Sequence, residues 1–426
     1  MRRSFLFLQG PHGPFIAALA ARLQAAGHRC ARIGFNGGDA AEWRGEGFHA
    51  CRGGVAELPE LLDRLLPDVT DVVLYGDYRP VHRVAAEAAR AAGCRLHFLE
   101  EGYLRPHWIT YERSGVNGNS PLMDLSLEEI VARAARLTRP DRAAPDQWGA
   151  MLGHMRHGLT YHARIALAAR AWPEAPEHRE IGAARERRTV LTALADLPAR
   201  RLRRRFRERA LMRTGAPYHV VLLQLGHDAS VQAHSPYSGM APFVADVARA
   251  FAESAPAHHH LVFKAHPFED GRENLPREIR AAARRHALSD RVHFLEGEPL
   301  ARLLDGAQSA VTVNSTAAQQ ALWRGLPVRT FGRAVYAKPG LVSDQPLTAF
   351  FAAPEPPDHA AYLAFRRYLL ATSQIKGSFY TRGGREAVLR RLVDAILAES
   401  DPYEATERGA GVTDRPFLQL ATGRGR

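Results

Sequence analysis

Four short segments of this 426-residue chain collect side chains that bind or move charge. Glu100-Glu101-Gly102-Tyr103-Leu104-Arg105-Pro106 sets two carboxylates side by side, and one of them, held out of water, can take the proton of an incoming hydroxyl. Capping, or an ion pair with Arg105, is the plainer use of the same acids. Gln224-Leu225-Gly226-His227-Asp228-Ala229-Ser230 offers Asp228 on a loop at a strand's carboxyl end, where its carboxylate can face a substrate or serve as a helix N-cap or Asx-turn residue. Lys264-Ala265-His266-Pro267 joins a cation to a histidine. Pro267 biases His266 towards extended backbone, from where its ring can donate to a leaving phosphate. Val313-Asn314-Ser315-Thr316-Ala317-Ala318 puts hydroxyls and free amides at a helix start, a place that attracts phosphate or carboxylate. Ser and Thr there are equally the commonest plain N-caps.

Each segment follows a short apolar run, so the elements that position it are strands. Runs at 4–9, 30–35, 71–77 and 95–103, separated by amphipathic stretches at 15–26 and 82–92, predict a parallel βα rhythm over residues 1–125. Residues 126–215 break the rhythm with a helical, basic, Ala/Arg-rich insertion. The rhythm resumes over 216–400, with strands at 218–225, 259–267, 291–297, 309–315 and 327–332 and closing helices near 358–372 and 384–398. A tail fills 401–426. Two α/β domains of this kind place ligands at the carboxyl ends of their strands.

A formal charge of +12 favours an anionic partner. Nucleic acid is not expected, because no aromatic-interleaved basic sheet or helix-turn-helix pattern accompanies the charge. Cys30, Cys51 and Cys94 have no metal-like spacing, which fits a reducing compartment. The opening run Phe5–Leu8 is cut by Gln9, Gly10 and prolines, too short for a secretory core, and no stretch reaches the roughly 18–20 apolar residues of a spanning helix. Eight arginines lie within 200–213 beside Leu202, Phe206, Leu211 and Met212, a pattern suited to an anionic lipid surface or to a solvated helix face. Lysine survives only at 264, 338 and 376, so Lys264 and Lys338 are candidates for sites where a guanidinium cannot serve.

Taken together, FLQGPHGPF, IGFNGGD, LYGDYRPVHR, EEGYLRPHWIT, GVNGNSPL, KAHP and QIKGSFY resemble the KpsS-type capsular polysaccharide β-Kdo transferases of Gram-negative bacteria. The resemblance spans nearly the whole chain apart from 130–215 and the end after about 400. It implies two Rossmann-like domains facing a cleft (GT-B-like), with a helical insertion between them. It further implies a retaining transferase moving Kdo from CMP-β-Kdo to a lyso- or phosphatidylglycerol-type lipid, without metal or cofactor. On this resemblance Asp228 is the nucleophile, Glu101 the base and His266 the phosphate partner. Gln224, Lys264, Pro267, Asn314, Ser315, Thr316 and Lys338 face the donor, and His12, Glu100 and Arg105 the acceptor. The chain departs from related modules in carrying His227 where they often have an acid. Expected partners are CMP-Kdo, the anionic lipid at the cytoplasmic face of the inner membrane, a KpsC-type transferase and the capsule ABC exporter. A non-catalytic export factor binding the lipid-linked chain is the competing reading.

Overall fold

The computed structural model describes residues 2–137, 151–173, 211, 213–269, 271–297 and 299–407. The chain divides into two compact units. Unit 1 comprises Met1–Pro121, Ile130–His178 and Arg366–Arg426, and unit 2 comprises Leu122–Glu129 and Arg179–Phe365.

Unit 1 is built on a seven-stranded sheet formed by β1 (Ser4–Phe7), β2 (Arg29–Gly34), β3 (Phe48–Ala50), β4 (Asp71–Tyr75), β5 (Arg95–Glu101), β6 (Trp108–Glu112) and β12 (Gln374–Lys376). Its order is β12-β6-β5-β4-β1-β2-β3. Strands β1 to β5 pair in parallel, whereas β6 runs antiparallel to β5 and β12 antiparallel to β6. Phe5 and Phe7 point to one face and Leu6 and Leu8 to the other, each into its own apolar layer. That two-sided burial is why these strands read as continuous apolar runs.

Unit 2 carries a five-stranded parallel sheet of β7 (Tyr218–Leu222), β8 (His260–Lys264), β9 (Val292–Leu295), β10 (Ala307–Thr312) and β11 (Val328–Thr330), in the order β11-β10-β7-β8-β9. Both sheets start in the middle and grow outwards in two directions. Each therefore has a switch point, between β1 and β4 in unit 1 and between β7 and β10 in unit 2. The two-sheet α/β plan expected from the sequence is the plan of the molecule.

The domain boundaries differ from expectation in three places. The sequence pattern puts the closing helices in the second domain, but the chain re-enters unit 1 at Arg366. There β12 completes the first sheet, and the helix Arg382–Leu397 buries Val388, Leu389, Leu392 and Ile396 in the layer of Phe5 and Phe7. The expected insertion is shared out as well: Leu122–Glu129 goes to unit 2, and the helix Met151–Leu167 goes to unit 1. Finally, the expected tail begins as structure. Tyr403, in the helix Pro402–Glu407, is buried and donates its hydroxyl to Glu112, which also accepts from Tyr103 at 2.7 Å and Ser120 at 2.6 Å. A carboxylate in the core needs such donors, and the chain's last described helix supplies one. Most of the arginine run 200–213 lies outside the described residues; of it, only Leu211 and Arg213 are described.

Candidate functional site

In unit 2 the loops after β7, β8 and β10 carry the predicted donor residues. Gln224, two residues past β7, is buried and bonds twice to Asn314, two residues past β10. Its amide donates to the Asn314 side-chain oxygen at 2.9 Å, and its own oxygen accepts the Asn314 backbone N–H at 3.0 Å. Asn314 then donates to the Ser230 carbonyl at 2.6 Å. This amide pair spans the switch point and fixes both loops, so the two residues act as scaffold for the site.

Asp228 stands at the start of the helix Ala229–His234. Its carbonyl accepts from Val231 and Gln232, yet its carboxylate makes no capping bond. The plain N-cap reading thus describes the backbone of Asp228 and not its side chain. The loop that carries it lies against Glu273, whose carboxylate accepts from the backbone N–H groups of Met240 at 2.6 Å and Ala241 at 3.0 Å. A Cβ on Gly226 would lie 1.5 Å from Glu273 Oε1, so any side chain there must push the Glu273 carboxylate aside. Gln232 also ties the Gly226 carbonyl at 2.6 Å.

His266 follows β8 and accepts the Phe268 backbone N–H on Nδ1 at 3.1 Å. A neutral ring therefore holds its proton on Nε2 and presents a donor there. Pro267 is exposed at the turn. Lys264 closes β8, is buried, and donates to the Ala265 carbonyl at 3.0 Å.

Two expectations change here. Ser315 uses its hydroxyl as a cap, accepting Ala317 N–H at 3.2 Å. The chain then makes one 3-10 turn, Thr316–Ala318, and the four-residue helix Gln319–Leu322, too short to gather a full helix dipole. Lys338, expected at the donor, has a structural post instead: its buried ammonium donates to the carbonyls of Leu122, at 2.7 Å, and Leu125. It pins Leu122–Glu129 to unit 2.

In unit 1 the corresponding strand ends hold acids. Neither Glu100 nor Glu101 faces open solvent; both are half-buried. Strand alternation puts Glu101 on the Leu99 side and Glu100 on the Phe98 side. Burial pushes the Glu100 carboxyl up to about 7, against the Glu101 N–H that it accepts at 2.9 Å and the charges of Arg79 and Arg105. Gly76, in the left-handed region at φ +73°, leaves room for it, since a Cβ there would sit 3.0 Å from Glu100 Oε2. Glu101 is hydrogen-bonded to the buried phenol of Tyr380, which is bonded in turn to Tyr75. Arg105 is exposed beyond the strand.

The helix Met151–Leu167 packs against these strand ends. The ring of His12 stacks on Tyr161 at 4.4 Å, and His154 meets Tyr380 edge-on at 4.3 Å. Tyr161 donates at 3.0 Å to Asp39, which also accepts from Arg32 at 2.8 Å, the Phe35 N–H at 3.0 Å and Gln9 at 3.1 Å. A Cβ on Gly38 would lie 2.5 Å from the Tyr161 ring, and one on Gly37 would lie 2.3 Å from the Ala168 Cβ. The NGGD sequence is thus a seat for this helix. Gly13 donates its N–H to Glu42 at 2.6 Å, and burial raises that carboxyl to about 7.

Sequence reasoning missed Tyr75, Tyr161, Tyr380, His154 and Glu273. Tyr380 ends the quoted QIKGSFY run and was within reach, whereas Glu273 and helix 151–167 carry no local signal. Among the described residues, no group of three or more His, Cys, Asp or Glu is arranged to hold a metal ion, and no helix is long and apolar enough to cross a membrane.

Two Rossmann-like α/β units, each with polar side chains at the carboxyl ends of its strands, define a double-α/β protein. More particularly, the capsule polysaccharide biosynthesis protein family model matches residues 70–380, and the chain belongs to that family. The capsule polysaccharide export protein KpsS of Escherichia coli is 29% identical over 394 residues, 89% of this chain and 97% of that protein. The capsule polysaccharide modification protein LipB of Neisseria meningitidis serogroup B is 30% identical over 389 residues, 89% of this chain and 92% of that protein. Among solved structures, the beta Kdo 2,7 transferase of Thermosulfurimonas dismutans KpsC aligns over 92% of this chain and 99% of its own, at 15% identity and a TM-score of 0.44.

Proposed function

We propose that this chain is a retaining glycosyltransferase that moves Kdo, an eight-carbon acidic sugar, from CMP-β-Kdo to a lyso- or phosphatidylglycerol-type lipid, starting the poly-Kdo linker of a Gram-negative capsule. The observation that carries the reading is Asp228: a carboxylate at the carboxyl end of β7, beside the switch point, on a loop held by Gln232 and Glu273.

In the first step an Asp228 oxygen bonds to the anomeric carbon as the bond from that carbon to the CMP phosphate oxygen breaks. The electron pair leaves on the phosphate, and the Nε2–H of His266 donates to it. In the second step the acceptor hydroxyl attacks the same carbon, its proton passes to a general base, the role the family resemblance gives Glu101, and the ester to Asp228 breaks to restore the carboxylate. Two inversions give net retention. CMP carries a single phosphate, so the reading calls on His266 and Lys264 and needs no metal. Unit 2 takes the donor role and unit 1 the acceptor role. The lipid acceptor assigns the work to the cytoplasmic face of the inner membrane, where a KpsC-type transferase and an ABC exporter would take the product onward.

The test is CMP release from CMP-Kdo, with intact-mass detection of a one-Kdo adduct in Glu101→Gln. An adduct that disappears in Asp228→Ala supports the mechanism, whereas full turnover in Asp228→Ala overturns it. Binding of lipid-linked chain without any CMP release would favour the export-factor reading, to which the name of the E. coli relative points.

A further inference from the structure

The helix Met151–Leu167 has two faces of opposite character. One side, carrying His154 and Tyr161, packs on the acidic strand ends of unit 1. The other exposes an apolar stripe at four-residue spacing: Met155 at 46%, Leu159 at 66%, Ala163, and Leu167 at 89%. Such exposure stands out in a unit most of whose large apolar side chains fill two buried layers, and it exceeds that of Val55 at 38%. Arg156 and Arg170 are exposed at the two ends of the stripe. At 17 residues the helix is about 25 Å long, too short and too polar on its inner side to span a bilayer. An apolar stripe flanked by arginines on such a helix matches a segment that lies in the headgroup layer.

We infer that the outer face of helix Met151–Leu167 is a docking surface for an anionic phospholipid bilayer. Its arginines meet lipid phosphates while Met155, Leu159 and Leu167 enter the acyl boundary. The net charge of +12 acts in the same direction. The contribution of this face is chiefly apolar and persists when charge is screened, unlike that expected of an arginine run. That it brings a lipid acceptor's headgroup to the Glu101 side of the same helix rests on the proposed transfer reading; the docking itself does not.

The test uses the full chain and vesicles of phosphatidylcholine with about one-third phosphatidylglycerol, with and without about 0.5 M salt to screen the arginines. Wild type is expected to co-sediment, and the double variant Leu159→Ser, Leu167→Ser to lose at least tenfold in partitioning at both salt levels. Val55→Ser, at another exposed apolar position of unit 1, is expected to bind as wild type does. Circular dichroism checks the fold of each protein. Should the serine variant unfold, Leu159→Trp replaces it, with a blue-shifted emission quenched by brominated lipid as the expected result. Unaltered vesicle binding in the double variant, no binding by wild type, or no quenching of the introduced indole overturns the inference. So does a change from dimer to monomer in sedimentation without a change in vesicle binding, which would make the occupant a second copy of the chain. No donor or turnover enters this assay, so its failure leaves the transfer reading standing, and a failure of CMP release leaves the docking standing.

Discussion

The two units share a sheet that begins in its middle, yet the ends of their strands have opposite electrostatic character. After β4 and β5, unit 1 holds the Glu100 carboxyl, pushed towards neutrality by burial, and phenols hydrogen-bonded in series, a setting that receives protons. After β7, β8 and β10, unit 2 holds a buried amide pair, a histidine whose Nδ1 accepts a backbone N–H and a buried ammonium, a setting suited to anions. Topology decides where polar residues gather, and the residues at the loop tips decide what they do.

The largest effect that would break this comparison is expected at Asp228, an acid on the loop after β7 of unit 2. Asp228→Ala should lower CMP-Kdo turnover by at least about 10³-fold while leaving the fold intact. Steady-state kinetics and calorimetry on one preparation check both halves. Gly226→Ala comes next. The new Cβ must displace Glu273 from the start of the helix Met240–Ser254, which should cost about 1–2 kcal/mol in urea unfolding and reduce kcat some tenfold or more.

The lysines sharpen the comparison within unit 2. Lys264→Arg should reduce kcat/KM about tenfold, or about 1.4 kcal/mol, because a buried ammonium on the donor side gives way to a planar fork. Lys338→Arg should instead lower stability by about 1–2 kcal/mol and leave KM unchanged, because its ammonium serves two backbone carbonyls. Equal kinetic losses in both variants would contradict this division.

The smallest expected effect lies in unit 1 and depends on pH. The Glu100 carboxyl is raised to about 7 in the folded chain, chiefly by burial, against an ordinary value near 4.5. Its contribution to stability is therefore full below about 4.5 and is lost as pH rises through about 7. Glu100→Gln keeps the acceptor for the Glu101 N–H and has no charge to desolvate. The variant should gain about 1–2 kcal/mol over wild type at about pH 8 and nothing near pH 4.5, read from urea unfolding at the two pH values.

Nine of the parallel strands were legible because they are short apolar runs, most of them buried on both faces, and they lie where the sequence puts them. β3, β6 and β12 were not. β3 and β12 have three residues each, too few for a periodic signal, and β6 turns back antiparallel after the EEGYLRP loop in a segment that reads as loop-rich. In the site, single residues were legible where a strand ended beside them, as with Asp228, His266 and Glu101. Partnerships were not: nothing local tells that Glu273 fills the space left by Gly226, or that Tyr380, 279 positions after Glu101, holds it. Such pairs are made by the tertiary fold. Lys338 shows the converse: the rarity of lysine marks the position, and only the fold reveals which carbonyls its ammonium holds.

The position of β12 also fixes an order of birth. The first sheet opens at Ser4 and is closed by residues 374–376, after all of unit 2 has been synthesised. On the ribosome the second unit can therefore mature while the first still lacks an edge strand and the helix Arg382–Leu397 that covers Phe5 and Phe7. The unit translated first is the last to be finished. Until then its apolar layer lies open, and a stop codon ahead of β12 would ruin the beginning of the protein and spare its middle.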